Sequence, residues 1–279
     1  MTARLRTRLH AAGGWRPLAA IALAAAAVAL GGCKTTTTVT TTSDTAQASG
    51  ASSEGNPHRR AAVRLQLAAG YYQKGQLDVA IKEATEATSI DPGLAAAYGL
   101  LGLIHMDLQQ NPQAESDFRR ALMLDGSDPE LNNNFGWFLC RTKREGEALQ
   151  YFDKAASNRL YATPAMALQN AGICLAQMGD RDRAEKYLMR AFEADASSPV
   201  AKFQLAQLYL KTNRLDRAEF YYGLLAKTVD PNAQTLWLGT RIAHARSDLR
   251  TQQRLSEELR TRFPEAPETG LLNREAFNE

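Results

Sequence analysis

Residues 132–140 read NNNFGWFLC. Asparagine is a poor helix residue and a good turn or cap residue, while aromatic residues around one glycine look like core or strand. Alone, the stretch fits a turn feeding a strand, a metal or redox site around Cys140, or a binding surface. Its register in the chain decides. Gly136 has counterparts at Ala68, Gly102, Gly172, Ala206 and Gly239, so that successive positions lie 34, 34, 36, 34 and 33 residues apart. Twelve residues beyond them come Ala80, Ala114, Ala148, Ala184, Ala218 and Thr251, and seven further on Ala87, Ala121, Ala155, Ala191, Leu225 and Glu258. The residue before each small position is apolar throughout: Leu67, Leu101, Phe135, Ala171, Leu205 and Leu238.

A fixed period of this length marks stacked supersecondary units. Small residues recur where two helix backbones approach most closely, and larger apolar neighbours fill the space left between the helices. QKGQLD (73–78) and QMGDRD (177–182) read as turns inside a unit, and Pro92, Pro129, Pro164, Pro199 and Pro231 mark where one unit stops and the next starts. NNNFGWFLC is then the first helix of the third unit. Gly136 sits at the close approach, Phe135 and Leu139 point to the core, and tertiary packing has to override the asparagines in return for amides facing outward.

The period and the residue types resemble the tetratricopeptide repeat (TPR). The expected fold is all-α: a right-handed superhelical solenoid of six TPR repeats over residues 59–264, with a C-terminal tail at 265–279. The sixth unit has lost both second-helix alanines, as suits a terminal cap. TPR arrays carry an inner groove lined by the first helices. Carried over position by position, the groove residues are Leu65, Ala69 and Tyr72 in unit one, and Gly99, Leu103 and Met106 in unit two. Asn133, Asn134, Trp137 and Arg141 follow in unit three, Gln169, Asn170 and Ile173 in unit four, Phe203, Gln204 and Gln207 in unit five, and Leu236 and Trp237 in unit six. Amides carry a donor and an acceptor and can hold the backbone of an extended peptide. Apolar anchors suit a partner's hydrophobic side chains. The set lacks the clustered lysines and arginines that grip a terminal carboxylate in some TPR proteins. Packing between helices and a binding surface both remain open for Trp137 and its neighbours.

The start of the chain reads as an export signal. Residues 1–17 carry Arg4, Arg6, Arg8 and Arg16 and no acid, and 18–30 (LAAIALAAAAVAL) are wholly apolar. That run is shorter than the roughly 20 residues a spanning helix needs. Leu30-Gly31-Gly32-Cys33 resembles the lipobox of bacterial lipoproteins, which implies a signal peptide at 1–32, lipidation of Cys33, and an outer-membrane location facing the periplasm. Loss of 1–32 removes four arginines and no acid and takes the formal charge from +3 to −1, so no basic balance argues for nucleic acid. Residues 33–58 form the lipidated cysteine and a Thr/Ser-rich tether that cannot bury enough apolar surface to fold. At random-coil scaling it reaches about 25–30 Å root-mean-square.

Nothing points to catalysis. Of the four histidines, His10 and His58 lie in the signal and the tether, and no two histidines have metal-ligand spacing. No glycine-rich phosphate loop opens a helix. His105 stands where the repeat usually has a packing tyrosine, which favours a core role. The expectation is no metal, no cofactor and no small-molecule substrate. Cys140 and Cys174 fall late in the first helices of adjacent units. In an oxidising compartment two such thiols suggest a disulfide; two buried free thiols are the alternative.

NNNFGWFLC, NAGICLAQMGD (170–180), LWLGTRIA (236–243) and RFPEAPE (262–268), together with the lipoprotein signal and six TPRs, resemble the type IV pilus biogenesis/stability lipoproteins of the PilW/PilF family. The matching positions include Asn133, Asn134, Phe135, Gly136, Asn170, Gly172 and Cys174. Departures are Gly126, where proline is usual, and the long threonine-rich tether. The resemblance implies a pilotin-like adaptor that binds subunits of the outer-membrane secretin and supports its assembly and pilus formation. A TPR lipoprotein scaffold for another envelope machine, such as peptidoglycan enzymes or barrel-protein assembly, is the alternative.

Overall fold

The structure, a computed structural model, describes residues 56–277. The expected signal peptide, Cys33 and the tether as far as residue 55 lie outside the described residues. Twelve α-helices form six hairpins: α1 (Pro57–Gln73) with α2 (Leu77–Ile90), α3 (Ala95–Asp107) with α4 (Asn111–Leu124), α5 (Pro129–Arg141) with α6 (Glu145–Ala156), α7 (Pro164–Gln177) with α8 (Arg181–Ala194), α9 (Pro199–Lys211) with α10 (Leu215–Ala226), and α11 (Ala233–Ala245) with α12 (Leu249–Arg262). A short α13 (Pro267–Asn273) follows, and the described residues contain no strand. Each first helix packs on its own partner, on the preceding second helix and on the next first helix. The first helix starts at Pro57, inside the expected tether, because Asn56 caps it: its Oδ1 accepts from the His58 N–H at 2.9 Å.

The first helices of all six units end alike. One residue takes the left-handed conformation, at Gly75, Gln109, Lys143, Gly179, Asn213 and Ser247, with φ from 55° to 84°. In the units where this is Gln109, Lys143 and Asn213, the following N–H returns to a carbonyl of the last turn, as Gln110 does to His105, Arg144 to Leu139 and Arg214 to Tyr209, each at 2.8 Å. Unit six keeps this turn although its second-helix alanines are gone. The turns between units are built differently. Asp91, Asp125 and Asp195 end their helices and accept the backbone N–H groups of Gly93, Ser127 and Ser197 at 2.9–3.0 Å. Pro129, Pro164 and Pro199 then occupy the first turn of the next helix, where their missing N–H costs nothing.

The small residues have the packing role expected of them. A Cβ built on Gly172 would lie 2.6 Å from Leu188, and one on Gly102 2.8 Å from Phe118. Unit one has Ala68 facing Ala84 in the same register, both fully buried. The apolar residue before the small position is buried at Leu101, Phe135, Ala171, Leu205 and Leu238 but 45 % exposed at Leu67. It packs on the preceding unit, and among the described residues none precedes α1. At the other end, α13 covers the last pair with Thr269 and Leu272 buried, and Thr269 Oγ1 donates to the Phe263 carbonyl at 2.6 Å. Among the described residues no helix is long and apolar enough to cross a membrane.

Candidate peptide-binding groove

Side-by-side first helices bring equal registers together, so polar residues one repeat apart form ladders. Tyr72 donates its hydroxyl to Asp107 Oδ2 at 2.7 Å, and Arg141 approaches Asp107 Oδ1 at 3.4 Å. Burial, then the hydrogen bond to Asp107, pushes the Tyr72 phenol up to about 12. Further along, Asn170 Nδ2 donates to Asn133 Oδ1 at 3.0 Å, and Ser198 Oγ donates to Gln169 Oε1 at 2.7 Å. These bonds link units one to two, two to three, three to four and four to five along one face.

Leu65, Leu103, Asn134, Trp137, Asn170, Ile173 and Phe203 are only partly buried there. Leu103 and Trp137 lean on the central core cluster around Phe118, Phe135 and Phe138. Met106, Asn133 and Trp237 are not open groove residues. Met106 is buried in the same central cluster, because the neighbouring α5 closes over it. Asn133 is 4 % exposed and spends its oxygen on Asn170. Asn132, expected to face outward with its neighbours, is fully buried and donates Nδ2 to the carbonyls of Gly126 and Asp128, at 3.0 and 2.6 Å. It thereby ties down the turn where glycine replaces the usual proline. Gly99 and Leu236 are buried as well, Gly99 beneath Leu131.

Cys140 of α5 and Cys174 of α7 form a disulfide, with their Cα atoms 5.8 Å apart and both residues buried. Cys174 follows Asn170 by one helical turn and Cys140 follows Trp137 by three residues, so the two helices that carry the middle of the groove are joined covalently. His105 is no apolar filler: Nδ1 lies 2.6 Å from Asp117 Oδ2, in a pair linking α3 to α4. Burial raises the Asp117 carboxyl above its ordinary range, against the pull of His105. Among the described residues no three His, Cys, Asp or Glu side chains gather as metal ligands.

At the far end, Trp237 is 6 % exposed because Phe277 stacks on it, with ring centroids 5.6 Å apart. The same phenylalanine stacks on His244 at 4.0 Å, and its carbonyl accepts from Arg241 Nε at 2.8 Å. Arg241, Lys211, Arg181 and Phe277 line a cavity of about 730 Å³.

The tetratricopeptide repeat family matches this chain at residues 65–130, 100–164 and 175–236. The type IV pilus assembly protein PilF of Pseudomonas aeruginosa is 29% identical over 200 residues, which are 72% of this chain and 79% of that protein. The solved structure of P. aeruginosa PilF superposes with a TM-score of 0.69, covering 79% of this chain and all of that one at 28% identity. The crystal structure of PilW, described as a widely conserved type IV pilus biogenesis factor, is 32% identical, with a TM-score of 0.71 over 76% of this chain and 97% of that one. The chain belongs to the PilW/PilF family of TPR proteins. It is a six-unit TPR solenoid. Arg241, His244 and Phe277 escaped the sequence reading of the first-helix face. Arg241 had a signal: it stands one helical turn after Trp237 and shares its side of α11. Phe277 had none, because nothing in a repeat pattern says where a tail folds back.

Proposed function

We propose that this chain is a lipid-anchored adaptor of the outer membrane, facing the periplasm. In this reading it binds secretin subunits through its TPR groove and supports secretin assembly and type IV pilus biogenesis. The carrying observation is the match to PilW over 97% of that chain. A groove with partly exposed Trp137, Leu103, Ile173 and Phe203 beside the amides of Asn134 and Asn170 suits capture of an extended segment with apolar side chains. The protein is then a scaffold and not a catalyst. Deletion of the gene is expected to abolish heat-resistant secretin multimers and surface pili; normal levels of both would overturn the reading. Crosslinking from Trp137 in the intact envelope should yield the secretin by mass. Cys33→Ser should move the protein to the soluble fraction, and retention in the membrane would refute the anchor.

A further inference from the structure

Arg241 is 9 % exposed and has no ion pair among the described residues. Its one hydrogen bond among the described residues uses Nε, to the carbonyl of Phe277. The Cζ atom stands 6.0 Å from the Trp237 ring centroid, at the outer limit for a cation–π contact. The other buried or half-buried arginines of the repeats are treated differently: Arg144 reaches both Glu115 and Glu147, and Arg214 reaches Glu185. A guanidinium removed from water without a partner is unfavourable, and burial accordingly lowers the Arg241 pKa, with no acid among the described residues to raise it again.

Among the described residues the two terminal nitrogens of Arg241 have no hydrogen-bond partner. Arg241 lines the cavity of about 730 Å³, whose wall includes Arg181, Lys211, Asn213 and His244 and, among the described residues, contains no acid. It also lines a second cavity of about 410 Å³ with Gln204, Gln207 and Gln234. Glu268 borders that second cavity without pairing with Arg241. Lys211 and His244 lie in last turns, where helix carbonyl ends favour cations with or without a ligand. The weight therefore rests on Arg241, which faces inward.

We propose that Arg241, with Lys211 and Arg181 at the rim, is a carboxylate-binding site at the distal end of the groove, taking an acidic side chain of an extended peptide partner. The proposal rests on the groove being a peptide-binding surface. A planar fork of two free N–H edges matches a carboxylate bidentately. The neighbouring glutamines favour a peptide over a free anion, since they offer backbone partners beside the charge.

The test uses an acetylated, amidated hexapeptide of leucine and asparagine with one central glutamate, and its glutamine twin, titrated into the full chain. Affinities come from calorimetry, and the Arg241 Nε–Hε resonance is followed by NMR. The glutamate peptide is expected to bind at least tenfold tighter and to move that resonance. Arg241→Gln should erase the preference, bringing the two peptides to equal affinity. Lys211→Gln, an exposed change that folding tolerates, should reduce the preference about threefold. Equal affinity of the two peptides for the wild-type chain would overturn the carboxylate site and leave the groove reading standing. If neither peptide binds, the site is likewise overturned, and the groove is judged by the crosslinking above. Inorganic phosphate moving the Arg241 resonance as strongly as the glutamate peptide would show a free-anion site and overturn the peptide reading.

Discussion

Two first helices carry the same spaced pair, WFLCR at 137–141 and WLGTR at 237–241, and they meet opposite fates. Trp137 follows its close-contact glycine by one residue, whereas Trp237 precedes its glycine by two. Three residues of a helix turn a side chain by about 60° net, enough to change which neighbour it meets. Trp137 stays partly exposed over the central cluster, and Arg141 is exposed and reaches Asp107. Trp237 and Arg241 are buried beside Phe277, and Arg241 forms no ion pair among the described residues. The middle of the groove is held by a disulfide below it, and the far end by a lid from the chain's own tail. The same residue pair is a surface in one register and a buried joint in the other.

The largest expected effect falls on the buried partner. Trp237→Ala should cost about 3–5 kcal/mol, read as lost hydrogen-exchange protection across α11, α12 and α13. A loss below about 1 kcal/mol would mean the Phe277 stack holds nothing together. The middle has its own anchor, and replacing Cys140 and Cys174 together by serine should lower stability by about 3–4 kcal/mol in urea unfolding, on the chain-entropy treatment of a loop this long. No change in midpoint would show that packing alone sets the α5–α7 spacing. Trp137→Ala should cost only about 1–2 kcal/mol and leave helicity intact while partner capture falls at least tenfold. Collapse of the melting temperature with no specific loss of capture would make Trp137 core and dissolve the contrast.

The smallest effect concerns charge. Glu115 accepts from Arg144 at 2.8 Å, linking units two and three, and hydrogen bonds from Arg144 and then Arg119 hold its carboxyl below the usual range. A carboxylate whose folded pKa is depressed stabilises the fold above its unfolded pKa and loses that contribution as pH falls through the folded value. Glu115→Gln should therefore cost about 0.5 kcal/mol at neutral pH and nothing in strong acid, measured by parallel urea titrations. A constant difference across that range would show the effect to be packing and not charge.

Much of the fold could be read from period alone. Gly102, Gly136 and Gly172 mark the contacts with Phe118, Phe152 and Leu188 because a Cβ there would crowd those side chains. Less of the groove was legible. Position numbers place a residue on a helix face, but Met106 and Asn133 share that face with Leu103 and Asn134 and are buried by α5 and α7. Burial depends on how far the neighbouring helix leans over, and a repeat pattern averages that out. Leu67 errs the other way, exposed because no unit precedes it among the described residues.

Period, small residues and turn chemistry by themselves determined a stack of helix pairs, since close approach and chain reversal each admit few residue types. Only the tertiary structure decided which first-helix residues a partner could touch. It joined Cys140 to Cys174, tied Asn133 of NNNFGWFLC to Asn170 of the next repeat, and folded Phe277 over Trp237. Those outcomes rest on contacts between residues far apart in the chain, where the side chain that arrives, and not the local pattern, sets the result.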